Sequence, residues 1–251
     1  MSQTAEIEWR GREGPFGLLV GRGVFSPTTT SRTLADALEI RPGDTVIDVG
    51  CGSGVLAFVA AKLGARKVYG CDLSEPAVEM ARENARRLGL DDVCEFRHGD
   101  LLEPVRDVQA SVLIGDVSGI PDALAAVSGW FENVPAGGPT GAELPRKLLT
   151  SIGSTLAPGG RLYLPTGTIQ DENAILATAR SIFGDNIESV LEREFPLPEL
   201  VAKAGVVAKM MKDGILNLRQ RGSRLLWSLR IWRCVQAGGS RPESSGLSVQ
   251  A

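Results

Sequence analysis

The sequence lacks the features that mark several classes of protein. It has one histidine, and its four cysteines (Cys51, Cys71, Cys94 and Cys234) form no Cys-x-x-Cys pair, so we expect no metal site. No apolar run approaches the roughly 18 residues that a membrane helix needs, and we expect no membrane partner. The polar N-terminus does not resemble a secretory signal. These absences predict a cytoplasmic protein with reduced, mostly buried thiols.

The sequence also lacks a large excess of charge of either sign. The net charge is −3 and the pI is near 5.4, which argues against a nucleic-acid partner. With 251 residues, of which 43% are hydrophobic and 23% charged, the chain has an ordinary globular composition. We expect a flexible leader over residues 1–15, a single domain over 16–236 and a disordered tail over 237–251, where Gly, Ser and Pro dominate.

Short apolar runs alternate with helical patterns through most of the chain. The predicted strands cover 44–50, 66–74, 92–100, 108–118, 161–167, 187–197 and 223–235. The predicted helices cover 54–65, 74–90, 141–158 and 171–184. This alternation predicts an α/β fold: a doubly wound, seven-stranded Rossmann-like sheet with helices on both faces and an antiparallel last strand. Ligands of such sheets bind outside the carboxyl ends of the strands, where the winding reverses.

A glycine cluster follows the first of these strands, in the stretch VIDVGCGSG over residues 46–54. Glycines between a strand and a helix let the backbone turn tightly and approach a ligand closely. The spacing Gly50-x-Gly52-x-Gly54 differs from the dinucleotide pattern, because Val55 occupies the place of its third glycine. Asp48 would be an odd neighbour for a pyrophosphate, but it suits the ammonium group of S-adenosylmethionine or orders the loop. The loop therefore favours S-adenosylmethionine.

Acids follow the next two predicted strands. Asp72 is placed to accept the ribose hydroxyls of an adenosine, with helix capping as the alternative, for which Ser74 is better placed. Asp100 is placed to accept the adenine amino group while Leu101 packs near the ring, with an ordinary polar loop as the alternative. The full set of predicted cofactor-binding residues is Phe25, Thr28, Asp48, Gly50, Cys51, Gly52, Gly54, Asp72, Leu73, Asp100, Leu101 and Asp116.

The ordered motifs VIDVGCGSG, GCDLS, RHGDLLE and LAPGGRLYL resemble those of class I S-adenosylmethionine-dependent methyltransferases. The resemblance covers residues 24–196 and implies S-adenosyl-L-methionine as the cofactor. Two stretches, VFSPTTTSRTLADAL and the segment leading to LPTG at 164–167, are similar to the branch that methylates protein glutamine or ribosomal proteins. The chain departs from that branch after the fourth strand, where GDVSGIP replaces Asn-Pro-Pro-Tyr. The acid is kept, but the prolines and the stacking aromatic residue are missing.

The resemblance places the methyl acceptor near the end of the fourth strand. We expect Asp116 to bind the acceptor N–H or O–H and to remove its proton, with a loop-holding role as the alternative. Ser118 and Glu143 complete the predicted catalytic set, Gly119 helps shape the pocket, and Glu132 is a further acid in the region. Aromatic residues Trp130 and Phe131 are candidates for an apolar wall.

A long segment, residues 198–222, separates the last two predicted strands. Residues 198–235, which include this segment and the last predicted strand, contain eight Lys and Arg residues but only two acidic residues. It is interpreted as a lid for an acidic or phosphorylated substrate, as a solvated helix face, or as the contact of a homodimer.

Three functions remain open from the sequence. The first is a methyltransferase acting on N or O of a small molecule or a protein side chain. The compact chain favours a small metabolite, for example in natural-product biosynthesis. The second is a nicotinamide-dependent oxidoreductase, which would need a different glycine spacing and a Tyr-x-x-x-Lys pair. The third is a non-catalytic subunit that binds S-adenosylmethionine and regulates a partner.

Overall fold

The computed structural model describes residues 4–130 and 136–238. Its strands are β1 (Ala5–Trp9), β2 (Phe16–Val20), β3 (Thr45–Val49), β4 (Lys67–Asp72), β5 (Cys94–His98), β6 (Ala110–Gly115), β7 (Leu156–Gly167), β8 (Ile187–Pro196), β9 (Arg219–Arg221) and β10 (Arg224–Val235). Its α-helices are α1 (Thr29–Ala37), α2 (Val55–Lys62), α3 (Glu75–Leu88), α4 (Asp122–Ser128), α5 (Glu143–Ser151), α6 (Glu172–Phe183), α7 (Glu199–Ala202) and α8 (Gly205–Lys212).

Seven strands form the central sheet in the order β5-β4-β3-β6-β7-β10-β8, and β9 pairs with one end of β10. Strands β3 to β7 run parallel, whereas β10 is antiparallel to both of its long neighbours. The chain winds outward in one direction from β3 and in the other from β6, so the winding reverses between these two strands. The predicted doubly wound sheet with an antiparallel last strand is confirmed.

Helices cover both faces of the sheet, as predicted. Because side chains alternate along a strand, Val46 enters one core and its neighbour Ile47 enters the other. The first core includes residues of α1, α2 and α3, and the second includes residues of α5 and α6. All four cysteines are buried free thiols. None of the described helices has both the length and the apolar character that crossing a membrane requires.

The N-terminal segment differs from the flexible leader expected over residues 1–15. Strand β1 pairs with β2 in an antiparallel hairpin, and Trp9 is 2% exposed within the first core. Asn84 of α3, also buried, receives the Leu19 N–H at 2.7 Å and donates to the carbonyls of Leu19 and Ser53. This strand was not predicted from the sequence, because its alternation of apolar and charged residues is short. The predicted tail is described only as far as residue 238.

The predicted helix over 141–158 is shorter in the structure. Helix α5 ends at Ser151, and Gly153 follows with φ +46°, a left-handed backbone conformation that interrupts a helix. Strand β7 begins at Leu156 rather than at residue 161. Its pairing with β6 is irregular, because Ala110 faces Leu156 while Val112 faces Arg161. The Pro-Gly-Gly stretch therefore lies within the strand at this irregularity instead of before it.

Residues 197–218 form a small layer that we call the roof. Its buried residues pack with Leu124 of α4 and Ile169 to form a third hydrophobic cluster: Leu197, Val201, Val207, Met210, Leu216 and Leu218. Most of the nearby cations are paired with acids, for example Arg219 with Glu194 and Arg230 with Glu172. This pairing neutralises much of the positive charge that suggested a lid for acidic substrates. The buried apolar side chains make the roof a packed part of the domain.

Candidate functional site

A cavity of about 440 Å³ opens at the carboxyl edge of the sheet, where the winding reverses. The glycine loop after β3 forms one wall. Its N–H groups at Gly50 and Cys51 donate to the carbonyl of Cys71, at 2.8 and 3.1 Å. Gly50 has φ +77°, and a Cβ there would lie 2.7 Å from the carbonyl oxygen of Asp116. The loop is therefore wedged between the ends of β4 and β6, and only glycine fits at its first position.

Asp72 joins the glycine loop to the next turn. Its carboxylate accepts the Gly52 N–H at 2.9 Å and the Ser74 N–H at 2.8 Å, one on each oxygen. Ser74 is the N-cap of α3. Each carboxylate oxygen can accept about two hydrogen bonds, so both retain capacity toward the cavity that Asp72 lines. The geometry thus suits the predicted binding of ribose hydroxyls.

Asp48 lies beneath the glycine loop and is fully buried. Its Oδ2 accepts the Ala57 N–H at 3.0 Å, and its Oδ1 has no hydrogen-bond partner among the described residues. Burial and then the charge of Asp116 raise the pKa of Asp48 to about 8. Asp48 is not among the residues that line the cavity. Of the two roles that the sequence left open, the geometry favours ordering the loop.

Asp48 makes a testable contribution to stability. Its folded-state pKa exceeds that of an unfolded aspartate, so its burial disfavours the folded protein increasingly as pH rises from about 4 to 8. Asn keeps an acceptor for Ala57 without the charge. We expect Asp48→Asn to raise the ligand-free melting temperature by at least about 5 °C at pH 8, with a much smaller gain at pH 5.

Thermal unfolding followed by circular dichroism checks this expectation. The matched control is Asp36→Asn, which removes an exposed acid paired with Arg193 and buries no charge, so we expect no gain in melting temperature. An equal gain for Asp48→Asn at both pH values would show that Asp48 does not carry the buried charge.

Leu73, Asp100 and Leu101, which are predicted to contact the cofactor, also line the cavity. Leu101 has φ +48°, which is uncommon for a residue with a side chain and is a form of strain found at functional sites. Leu73 is 63% exposed, which is unusual for a large apolar side chain and leaves an apolar surface beside the cavity. Asp100 binds Lys147 of α5 at 2.6 Å, an ion pair that the sequence did not suggest.

Asp116 follows β6 directly and also lines the cavity. Burial raises the pKa of Asp116 to about 6, and a hydrogen bond from Ser31 opposes the shift. Ser31 Oγ lies 3.4 Å from Asp116 Oδ2, and it also accepts the Thr28 N–H in a capping box at the start of α1. Ser31 was missed from the sequence, although Thr28-x-x-Ser31 has the spacing of such a box.

Several other predicted residues also contact the cavity. Those of the predicted cofactor and catalytic sets that line it, besides the residues already described, are Phe25, Thr28, Cys51, Gly52 and Ser118, and Gly119 lines it as well. Gly54 does not line it. With φ +91° and a hypothetical Cβ 2.6 Å from Phe58 Cζ, Gly54 instead allows α2 to begin close behind the loop.

The structure corrects the catalytic role predicted for Glu143. Its carboxylate accepts the N–H and the hydroxyl of Thr140, and it is not among the cavity-lining residues. Trp130 packs against the cluster beneath the roof and does not line the cavity either. Phe131 and Glu132 lie outside the described residues.

The part of the cavity beyond Asp116 was not predicted. We call it the acceptor lobe and define it by Ile120, Leu144, Ile169, Gln170, Trp227 and Leu229. These residues come from four different segments, three of them after residue 140, so no local pattern in the sequence groups them. Apart from Gln170, the acceptor lobe is apolar.

The charges of the cavity have one sign. Asp72, Asp100 and Asp116 line it, whereas no Lys, Arg or His does within the described ranges. Such a site favours a cationic ligand over an anionic one. No group of three or more potential metal ligands is found in the part of the chain that the structure describes.

The sequence and the structure of this chain were both compared with those of known proteins, and both resemble methyltransferases. Residues 17–118 match the family described as ribosomal protein L11 methyltransferase (PrmA). A curated protein of that name from Caldanaerobacter subterraneus subsp. tengcongensis is 40% identical over 127 residues, covering 47% of this chain and 41% of the relative. The crystal structure of a ribosomal protein L11 methylase from Lactobacillus delbrueckii subsp. bulgaricus aligns with a TM-score of 0.51 and 19% identity, over 85% of this chain and 81% of that one.

A second solved structure covers more of the chain. The tRNA m1G37 methyltransferase of M. jannaschii aligns with a TM-score of 0.60 and 14% identity, over 94% of this chain and 55% of that one. The chain has the class I methyltransferase fold. Within this methyltransferase fold, the segment that carries the glycine loop and Asp116 is the one that matches the L11 methyltransferase family. The chain spans less than half the length of the curated relatives it matches.

Proposed function

We propose that this chain is an S-adenosylmethionine-dependent methyltransferase whose acceptor binds beside Asp116. The observation that carries the proposal is the charge of the cavity: three carboxylates, of which Asp100 is paired with Lys147, and no cationic side chain line it within the described ranges. S-adenosylmethionine bears a sulfonium and an ammonium group, both of which such a cavity attracts. A nicotinamide dinucleotide bears an anionic pyrophosphate, and a cavity lined by carboxylates repels this group. The charge therefore counts against the oxidoreductase alternative.

The residues present fit this cofactor. The left-handed Gly50 and Gly52 bring the loop backbone to the cavity wall, where it can approach the methionine moiety closely. Asp72 would accept the ribose hydroxyls, and Asp100 would accept the adenine amino group beside Leu73 and Leu101. When bound, S-adenosylmethionine supplies an electrophilic methyl group, and the protein has to orient the acceptor and exclude water.

Asp116 is the group that we assign to the acceptor. A methyl group is transferred only to an atom with a free electron pair. A protonated amine therefore has to lose a proton before it reacts, and a neutral amine or hydroxyl loses one as the new bond forms. With a pKa raised to about 6, Asp116 is mostly charged at neutral pH and can hold the acceptor N–H or O–H or accept its proton. Ser31 holds one oxygen of this carboxylate, which leaves the other for the acceptor.

Two classes of acceptor remain. The names of the relatives favour a protein side chain of the kind that L11 methyltransferases modify. The apolar acceptor lobe favours a small metabolite, such as an intermediate in the biosynthesis of a natural product. A regulatory subunit without catalytic activity would bind the cofactor but transfer no methyl group.

Calorimetry and isotope transfer test the proposal. We expect S-adenosylhomocysteine to bind the purified protein with micromolar or tighter affinity, and NAD to give no heat of binding. Incubation with methyl-labelled S-adenosylmethionine is then expected to label either recombinant ribosomal protein L11 or a small molecule of a deproteinised cell extract, detected by mass spectrometry. Binding of NAD in preference to S-adenosylhomocysteine would contradict the proposal, and binding without any label transfer would favour the regulatory alternative.

A further inference from the structure

We infer that the acceptor lobe binds an apolar group bearing a hydrogen-bond-accepting oxygen, which the side-chain amide of Gln170 recognises. The inference rests on the proposed function, because it assigns the part of the cavity that the cofactor residues do not line. It concerns the acceptor and its class rather than the cofactor.

The first observation is a buried amide group with an unused donor. Gln170 is 6% exposed and lines the cavity, and its Nε2 makes no hydrogen bond to any described residue. A buried donor without an acceptor costs about 1–3 kcal/mol. An apolar residue in the same place would avoid that cost. A bound molecule that places an acceptor against the amide would remove this cost.

The second observation is the position of this amide. A Cβ on Gly119 would lie 2.6 Å from Gln170 Oε1 and 3.4 Å from its Nε2, so the whole amide group lies against the Gly119 backbone. A Cβ on Gly141 would lie 3.0 Å from Gln170 Cβ. Two glycines thus make the space in which the side chain lies. A half-turn of the terminal amide exchanges its oxygen and nitrogen without moving the rest of the side chain.

The amide and the proposed catalytic acid face one site from neighbouring segments. Gly119 is three residues beyond Asp116, and both residues line the cavity together with Gln170. The Gln170 N–H donates to the carbonyl of Gly167 at 3.1 Å, which fixes the turn that carries the side chain. An acceptor held at Asp116 would therefore extend toward Gln170.

The remaining walls of the acceptor lobe indicate what kind of group fits between Asp116 and Gln170. Ile169 and Leu229 are 2% and 3% exposed, and both line the cavity. Trp227 of β10 lines it too, with its ring centroid 5.3 Å from that of Phe195. Ile169 also belongs to the cluster beneath the roof, so the roof supports the wall of the acceptor lobe. These walls favour an aliphatic or aromatic body over a charged one.

A pair of ligands in which a carbonyl group replaces one methylene group tests the inference. The probes are 4-phenyl-2-butanone and butylbenzene, titrated by ligand-detected NMR into protein saturated with S-adenosylhomocysteine. The measured quantity is the ratio of the two dissociation constants, ketone over hydrocarbon, which isolates the carbonyl oxygen. We expect Gln170→Met, which keeps the length of the side chain but removes the donor, to raise this ratio about fivefold, as loss of one hydrogen bond predicts.

Two further measurements separate this effect from damage to the fold. Gln170→Met should bind S-adenosylhomocysteine as the wild type does, and Gln170→Glu should raise the ratio in the same direction. The matched control is Gln220→Met, on an exposed glutamine of β9 whose amide donates to the Gly222 carbonyl, and it should leave the ratio unchanged. A ratio in Gln170→Met within twofold of the wild type would overturn the inference, and so would failure of both probes to bind. Failure of S-adenosylhomocysteine to bind the wild type would instead refute the proposed function.

Discussion

Gly50→Ala is expected to weaken the binding of S-adenosylhomocysteine by about 100-fold or more. The added methyl group would lie 2.7 Å from the carbonyl oxygen of Asp116, which is backbone and cannot rotate away. Gly50 also has φ +77°, a conformation that alanine adopts only with strain. To relieve both, the loop has to move away from β6, into the space that the cofactor needs. Isothermal titration calorimetry measures the effect directly.

Gly64→Ala is the matched control. Gly64 has φ +104° and follows α2, but a Cβ there meets no atom within 4 Å. Alanine at this position has the same kind of backbone strain without the contact at the cavity. We expect it to lower the melting temperature while S-adenosylhomocysteine binds normally. If both variants lost affinity equally, general destabilisation rather than displacement of the glycine loop would be the cause.

Asp116→Asn is expected to lower the rate of methyl transfer about 100-fold to 10,000-fold, the usual range for loss of a general base. Asparagine has nearly the same shape and still accepts the Ser31 hydroxyl, but it cannot take a proton from the acceptor. The affinity for S-adenosylhomocysteine should change far less than the rate. Label transfer to the acceptor identified by mass spectrometry, measured alongside calorimetry, separates the two quantities.

The pH dependence of the same reaction provides a second test of Asp116. Burial raises its pKa to about 6, so kcat/KM for the acceptor should fall as pH drops through that value in the wild type. The cause is protonation of the carboxylate, which then can no longer accept a proton. The acid limb should be absent from Asp116→Asn.

Glu143→Gln is the control for the catalytic assignment. Its carboxylate binds Thr140 outside the cavity, so the rate should stay within about twofold of the wild type, as for a surface change. A fall in rate as large as that of Asp116→Asn would restore Glu143 to the catalytic set and contradict the structure.

Much of the fold could be predicted from the sequence, because each strand of a doubly wound sheet is a local apolar run. All seven strands of the central sheet were located, and those of the parallel half end within a few residues of the predicted positions. The hairpin containing β1 was missed because its alternation of apolar and acidic residues is only five residues long, and only Trp9 of that strand is buried. Helices α4, α7 and α8 are short, and their burial depends on contacts with one another that no local pattern reports.

The candidate site also contains some residues that the sequence predicted and others that it did not. The glycine loop and the acids at the strand ends were predicted because parallel strands bring their carboxyl ends to one edge. The function of Asp48 was left open, since the sequence does not reveal whether a side chain at a strand end faces the ligand or the helix behind it. Ser31 and Gln170 were missed because they reach the site from segments 85 and 54 residues away from Asp116. Only the folded chain brings them together.

The three hydrogen bonds of Asn84 have a practical consequence for work with this protein. Its side-chain amide connects β2 to the backbone of Ser53, so the same residue holds both the N-terminal hairpin and the glycine loop in place. A shortened version begun at residue 17, where the family match starts, would remove β1 and leave Trp9 missing from the core. Expression of the domain should therefore retain residues 5–20, and affinity tags are better attached at the other end of the chain.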